Sequence, residues 1–246
     1  MNWYEDDALW NAFYEHMFAE ESFEMAHQQS SELLVLANHE VKDILDLACG
    51  PGRHCIALSQ LGCNVTGVDI SPFLLSQAKQ NIQSKGLNVQ LIESDMSCFS
   101  QPDSFDLIVN MFNSFGYLPS HEENFNVIQL AYQNLRKSGT LIIDTVGKET
   151  LARNIQPVHL TEYEDGSIRI ERPLLTDDLQ VFSNEWILID GDKVFRREYQ
   201  HYIYTPLELT MMCEKAGFNN VEVYGSLSGD EYDLDSEQLV IVAEKY

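Results

Sequence analysis

The chain has 246 residues, 44% of them hydrophobic and 11% aromatic, which suits one substantial core and excludes a disordered chain. Its formal net charge is −24, from 39 Asp and Glu against 15 Lys and Arg. Such a body repels phosphate backbones and lacks the cations whose counterion release drives nucleic-acid affinity, leaving Arg169, Arg172, Arg196 and Arg197 as candidates for a local basic pocket.

The opening "MNWYEDDALW" is acidic where a secretory leader is basic. Across residues 8–27, Trp10, Phe13, Tyr14, Met17 and Phe18 recur at the spacing of one helical face. A second short helix is predicted over 31–36, so residues 1–40 read as an N-terminal helical lid. From Val41 onward strands and helices alternate. "DILDLA" is an apolar strand, "RHCIALSQL" a helix closed by Gly62, and "NVTGVD" a second strand. "SPFLLSQAKQNIQSKG" is a helix with Ser71 as its cap, Pro72 in its first turn and Gly86 as its stop. "VQLIES", "FDLIVNM" and "TLIIDTV" are the third to fifth strands. A helix over 121–135 precedes the last of them and is closed by "RKSG". This alternation predicts an α/β fold with a parallel sheet covered on both faces.

Residues 158–204 break the pattern. "EDGS" and "DGDK" signal hairpins, and the segment reads as a small antiparallel β insert of about four strands, placed at the substrate side or at a dimer contact. A helix "PLELTMMCEKAG" and strands "NVEVYG" and "QLVIVAEKY" complete the chain. No apolar run reaches the ~20 residues that span a bilayer. The cysteines form no C-x-x-C pair and no metal-ligand spacing. The expectation is a cytoplasmic protein with reduced thiols, no metal and no membrane contact.

The glycine turn after the first strand is the main functional signal. A phosphate-binding P-loop needs Lys followed by Ser or Thr after its last glycine; here Arg53 and His54 follow Gly52. A dinucleotide site needs a third small residue for close helix–strand packing; here that position is Cys55, and Pro51 sits inside the turn. "LDLACGPGRH" instead resembles the first motif of class I S-adenosylmethionine-dependent methyltransferases, an acidic residue followed by three alternating glycines. The equivalent positions are Asp46, Ala48, Gly50 and Gly52, with Cys49 between them, and Ala48 replaces the first glycine.

The resemblance implies a Rossmann-like, doubly wound, seven-stranded sheet, mostly parallel with an antiparallel last strand, formed by 41–157 and 205–246. It implies S-adenosyl-L-methionine as cofactor and S-adenosyl-L-homocysteine as product. By the same resemblance Asp69 takes the ribose hydroxyls, Ile70 packs on adenine, and Asp95 meets the adenine amino group with Met96 alongside. Asn110 and Met111 flank the methionine part. Arg53 can pair with a carboxylate of cofactor or substrate, and Trp3, Tyr4, Trp10 and Tyr14 belong to the lid.

Methyl transfer from a sulfonium needs position and a dry site more than a strong acid or base. Asn113, Ser114 and Tyr117 follow the fourth strand and are candidates for orienting an acceptor. Arg153, His159, Trp186, His201, Tyr202 and Tyr204 are candidates for the far wall, with His201 the choice for a base because imidazole titrates near neutral pH. Strand alternation puts His201 opposite Tyr202 and Tyr204. The reading is a methyltransferase acting on a nitrogen or oxygen of an unidentified small molecule, as a monomer or homodimer. Its rivals are a non-catalytic S-adenosylmethionine-binding module, a methyltransferase of protein or RNA, and an NAD-dependent oxidoreductase.

Overall fold

The computed structural model describes residues 2–176 and 178–246. A 3-10 turn, Trp3–Glu5, leads into α1 (Asp7–Met17), whose first backbone N–H groups at Ala8 and Leu9 donate to the Asp6 side chain. The chain breaks at Phe18 and resumes as α2 (Glu20–Ala37). The apolar spacing predicted one helix through this break and a short one after it. The structure instead has two helices with the joint at Phe18 and Ala19, where the Ser22 hydroxyl donates to the Ala19 carbonyl.

Alternating strands and helices follow: β1 (Asp43–Leu47), α3 (Arg53–Gln60), β2 (Asn64–Asp69), α4 (Pro72–Ser84), β3 (Gln90–Glu93), β4 (Phe105–Asn110), α5 (His121–Asn134) and β5 (Leu135–Thr145). Ser71 caps α4 by accepting from the Leu74 N–H at 3.1 Å, with Pro72 in the first turn. "RKSG" does not close a helix. It is an irregularity inside β5, where Ser138 takes φ 63° and donates its N–H to the Lys245 carbonyl.

A short helix α6 (Lys148–Asn154), absent from the sequence reading, leads to the antiparallel strands β6 (His159–Glu162), β7 (Ile168–Leu175), β8 (Val181–Asp190) and β9 (Lys193–Tyr202). The chain returns through α7 (Pro206–Ala216), β10 (Asn220–Tyr224) and β11 (Leu239–Glu244).

The main sheet has the order β10-β11-β5-β4-β1-β2-β3. Its strands are parallel except β11, which runs antiparallel to both β5 and β10. β1 and β4 are continuous apolar strands, buried along most of their length, as a sheet covered on both faces requires. The chain runs from β1 to β2 and β3 on one side and then crosses to β4 on the other, so the crevice beyond the carboxyl end of β1 lies at the switch in strand order, where open α/β sheets take ligands.

The second sheet, β6-β7-β8-β9, packs on α1 through Phe13, whose ring lies 5.3 Å from that of Trp186 and 5.7 Å from that of Phe195. It also touches the loop after β4. The Tyr202 N–H donates to the Gly116 carbonyl at 2.8 Å. Gly116 has φ 105°, and a Cβ there would collide with the Tyr202 carbonyl oxygen, so this approach requires glycine.

Candidate functional site

β1 delivers the chain to a turn with three left-handed residues, Ala48 (φ 58°), Gly50 (φ 54°) and Gly52 (φ 81°). Alanine in that region carries strain of about 1 kcal/mol that glycine avoids. The turn is fastened from both sides: Cys49 donates its N–H to the Val68 carbonyl at 3.0 Å, and Gly50 donates to Asp69 Oδ2 at 2.8 Å. Gly52 lets α3 press on α4, since a Cβ there would lie 3.2 Å from that of Ala78.

A cleft with about 890 Å³ of free space, open to solvent, lies over this turn. From the turn and α3 its wall receives Asp46, Ala48, Cys49, Gly50 and Arg53. From the ends of β2, β3 and β4 it receives Asp69, Ile70, Asp95, Met96 and Met111. Tyr4 and Tyr117 also reach it.

Several expected residues stand elsewhere. Gly52 lies behind the turn, against α4. Tyr14 packs between Phe18 and Phe73, its hydroxyl 3.4 Å from Asn81 Nδ2. Asn113 is held by its backbone on the Asp144 carbonyl and borders neither cavity described here. Asn110 is buried beneath the wall, its Nδ2 donating to the Leu47 carbonyl at 3.0 Å. Trp10, expected in the lid, borders the cleft, whereas His54, Met17 and Phe18 were not foreseen as wall residues. Met17 and Phe18 stand at the break between α1 and α2, and no local motif marks such a position.

The cleft is electrically divided. Burial pushes the Asp46 carboxyl up to about 7, against the pull of the Cys55 thiol and of Arg53. Burial also raises Asp69, although its oxygens accept from the Gly50 and Ser71 N–H groups. His54 is driven down to about 3 by burial, and next by Arg53 beside it. Arg53 is 5% exposed, lies 4.2 Å over the Phe112 ring, and has no ion-pair partner among the described residues. Asn110 Oδ1 is buried without a hydrogen-bond partner. A ligand with both a carboxylate and cationic groups suits this wall, because the unpaired guanidinium and the carboxyls call for opposite charges. Among the described residues no group of three or more His, Cys, Asp or Glu could hold a metal, and no helix is long and apolar enough to cross a membrane.

A second, solvent-open cavity adjoins the first; Tyr4, Tyr117 and Leu118 border both. His201 stands on its wall, buried, with neither ring nitrogen hydrogen-bonded. Burial lowers its pKa to about 4, which makes it a neutral imidazole at pH 7. Tyr204, beyond the end of β9, turns to His121 (3.2 Å); Tyr202, expected from strand alternation to stand opposite His201, borders the same cavity, its hydroxyl donating to the Pro119 carbonyl. Tyr117, supplied by the loop after β4, stacks on His201 with ring centroids 5.7 Å apart, and Tyr199 meets it edge-on at 6.1 Å. Arg153 is paired with Asp235, and Trp186 donates to Glu171; neither these two nor His159 borders either cavity.

The family described as a methyltransferase domain matches residues 44–139. A glycine/sarcosine N-methyltransferase of Aphanothece halophytica is 26% identical over 216 residues, covering 85% of this chain and 78% of that protein. Two solved structures share the fold. An S-adenosylmethionine-dependent methyltransferase from Clostridium acetobutylicum has TM-score 0.81 and 20% identity, over 97% of this chain and 98% of the other. An S-adenosylmethionine-bound amino pentose methyltransferase from Micromonospora echinaspora has TM-score 0.72 and 19% identity, over 97% of each chain. Residues 44–139 thus match the methyltransferase-domain family, and the chain has the fold of S-adenosylmethionine-dependent methyltransferases.

Proposed function

We propose that the enzyme methylates a nitrogen or oxygen of a small molecule held in the second cavity. The observation that carries this reading is the junction of the two cavities at Tyr4, Tyr117 and Leu118. A cofactor over the glycine turn and an acceptor beside His201 would meet there. The small-molecule acceptors in the names of the glycine/sarcosine and amino pentose enzymes agree with it. The net charge of −24 argues against RNA.

In this reading Asp69 accepts from the ribose hydroxyls, Asp95 from the adenine amino group, and Arg53 pairs with the carboxylate of the methionine part. Ile70 and Met96 flank the adenine. The cofactor, when bound, supplies a methyl group already activated by its sulfonium. The protein therefore has to align the acceptor and exclude water. His201, a neutral imidazole, can take a proton only at the ring nitrogen that lacks one. The Tyr117 hydroxyl, its pKa raised by burial, keeps its proton and can donate a hydrogen bond. The segment 1–40 acts as a lid, since Tyr4, Trp10, Met17 and Phe18 all border the cleft. The five free thiols suit a reducing, cytoplasmic setting.

The test incubates the enzyme with isotope-labelled S-adenosylmethionine and a cell extract separated into metabolites, protein and RNA. Label in one small molecule, identified by mass spectrometry, is the expected result. Label confined to protein or RNA overturns the reading.

A further inference from the structure

The second cavity has an unusual lining for a site that must recognise a polar metabolite. Among the described residues no Lys, Arg, Asp or Glu borders it. Its polar groups are the neutral side chains of Asn2, Gln200 and His201 and the tyrosine hydroxyls. The arginines of the neighbouring sheet are already committed. Arg197 is 2.8 Å from Asp6, Arg169 is 3.0 Å from Glu171, and Arg172 and Arg196 share Glu185 at 3.1 and 2.6 Å. A carboxylate or phosphate entering this cavity would be desolvated with no cation to meet it, in a molecule of net charge −24.

The rings are continuous. Trp3 lies 4.5 Å from Tyr117 and 5.7 Å from Tyr4, and Tyr117 stacks on His201. Such faces attract an ammonium or a polarised N–H. The two unpartnered nitrogens of His201 add one donor and one acceptor, as a neutral imidazole provides.

We infer that this chamber selects an amine that carries no carboxylate or phosphate, so that α-amino acids are rejected and amines with a neutral body are taken. The inference rests on the reading that the acceptor occupies the second cavity. Recognition comes from the ring faces of Trp3, Tyr4 and Tyr117 around the nitrogen and from His201 hydrogen-bonding the amine or a neighbouring hydroxyl.

Calorimetry on the full-length enzyme saturated with S-adenosylhomocysteine tests it with a matched pair of probes, cyclohexylamine and 1-aminocyclohexane-1-carboxylic acid. The amine is expected to bind at least tenfold tighter. Replacing His201→Phe, which keeps a ring and removes both nitrogens, is expected to weaken the amine at least fivefold; retained S-adenosylhomocysteine binding shows that the variant is folded. Equal affinities for the pair, preference for the amino acid, no binding of the amine, or an unaffected His201→Phe variant each overturn the inference. Wild-type enzyme that fails to bind S-adenosylhomocysteine overturns the cofactor reading as well, which separates the two failures.

Discussion

Asp69 has two tasks with one carboxylate. It closes the glycine turn by accepting from the Gly50 and Ser71 N–H groups, at 2.8 and 2.9 Å, and it faces the cleft. Asp69→Ala is expected to lower S-adenosylhomocysteine affinity more than a hundredfold and folding stability by about 2 kcal/mol, since hydrogen bonds to a charged group are worth roughly 1.5–3 kcal/mol. Asp69→Asn keeps an acceptor for the turn, so its loss falls mainly on binding. Calorimetry and urea unfolding measure the two effects; an unchanged affinity in Asp69→Ala removes Asp69 from the ribose.

Asp46 gives a pH-dependent prediction. Its ordinary value is 3.8, and burial raises it to about 7 in the folded chain. A carboxyl raised on folding holds its proton more tightly when folded. It therefore favours the folded state below pH 3.8 and loses that contribution as pH climbs toward 7. Asp46→Asn, neutral at every pH, should be more stable than wild type at pH 8, by on the order of 2–4 kcal/mol in the protein without ligand. The two should converge near pH 4. An Asn variant less stable at pH 8 would mean that Arg53 more than offsets the buried charge. Asp69 and Asp95 were legible in the sequence because a strand end fixes their position locally. The pairing of Tyr117 with His201 joins the loop after β4 to strand β9, 84 positions apart along the chain, and no local pattern encodes it.

At the scale of elements, strands and caps were legible because their signals are local: β1, β2 and β4 from apolar runs, α4 from Ser71 and Pro72. What failed was set by tertiary partners. The apolar spacing runs on through Phe18, but packing stops α1 there and aims Met17 and Phe18 at the cleft. "RKSG" looks like a turn, but the end of the chain turns it into strand by pairing Ser138 with Lys245. The N-terminal elements are tied to the rest of the fold where Trp3 Nε1 donates to the Gln200 carbonyl at 3.0 Å, where Asp6 pairs with Arg197, and where Ser71 Oγ donates to Asp7 Oδ1 at 2.7 Å. If this segment closes on the cofactor, S-adenosylhomocysteine should slow amide exchange in residues 2–18 more than in α5, which does not border the cleft. Asp6→Ala removes both the α1 cap and the Arg197 pair, so exchange at Ala8 and Leu9 should rise in the free protein. Exchange in 2–18 that ignores the ligand would leave these residues as packing only.

For the whole molecule the dominant fact is the excess of 24 negative charges. Two electrostatic effects oppose each other. Pairs such as Arg172–Glu185 and Arg153–Asp235 stabilise, but they are partly exposed, and each is worth about 0–1 kcal/mol. The remaining acidic groups repel one another over the entire surface and favour the expanded chain. Salt weakens both, and the Debye length shrinks from about 30 Å at 0.01 M to about 3 Å at 1 M. Long-range repulsion is screened first, while contacts near 3 Å survive, so added salt should stabilise this protein. Raising NaCl from 0.01 to 0.5 M at pH 8 is expected to increase Tm by several degrees, given about 2–4 °C per kcal/mol for a chain of this size. Near the sequence pI of about 4.4 the net charge vanishes, and the increment should shrink toward zero. Differential scanning calorimetry at the two pH values decides it. A Tm that falls with salt at pH 8 would mean that the close pairs around the β6–β9 sheet outweigh the repulsion, and that the surface charge is organised for stability as well as spread for solubility.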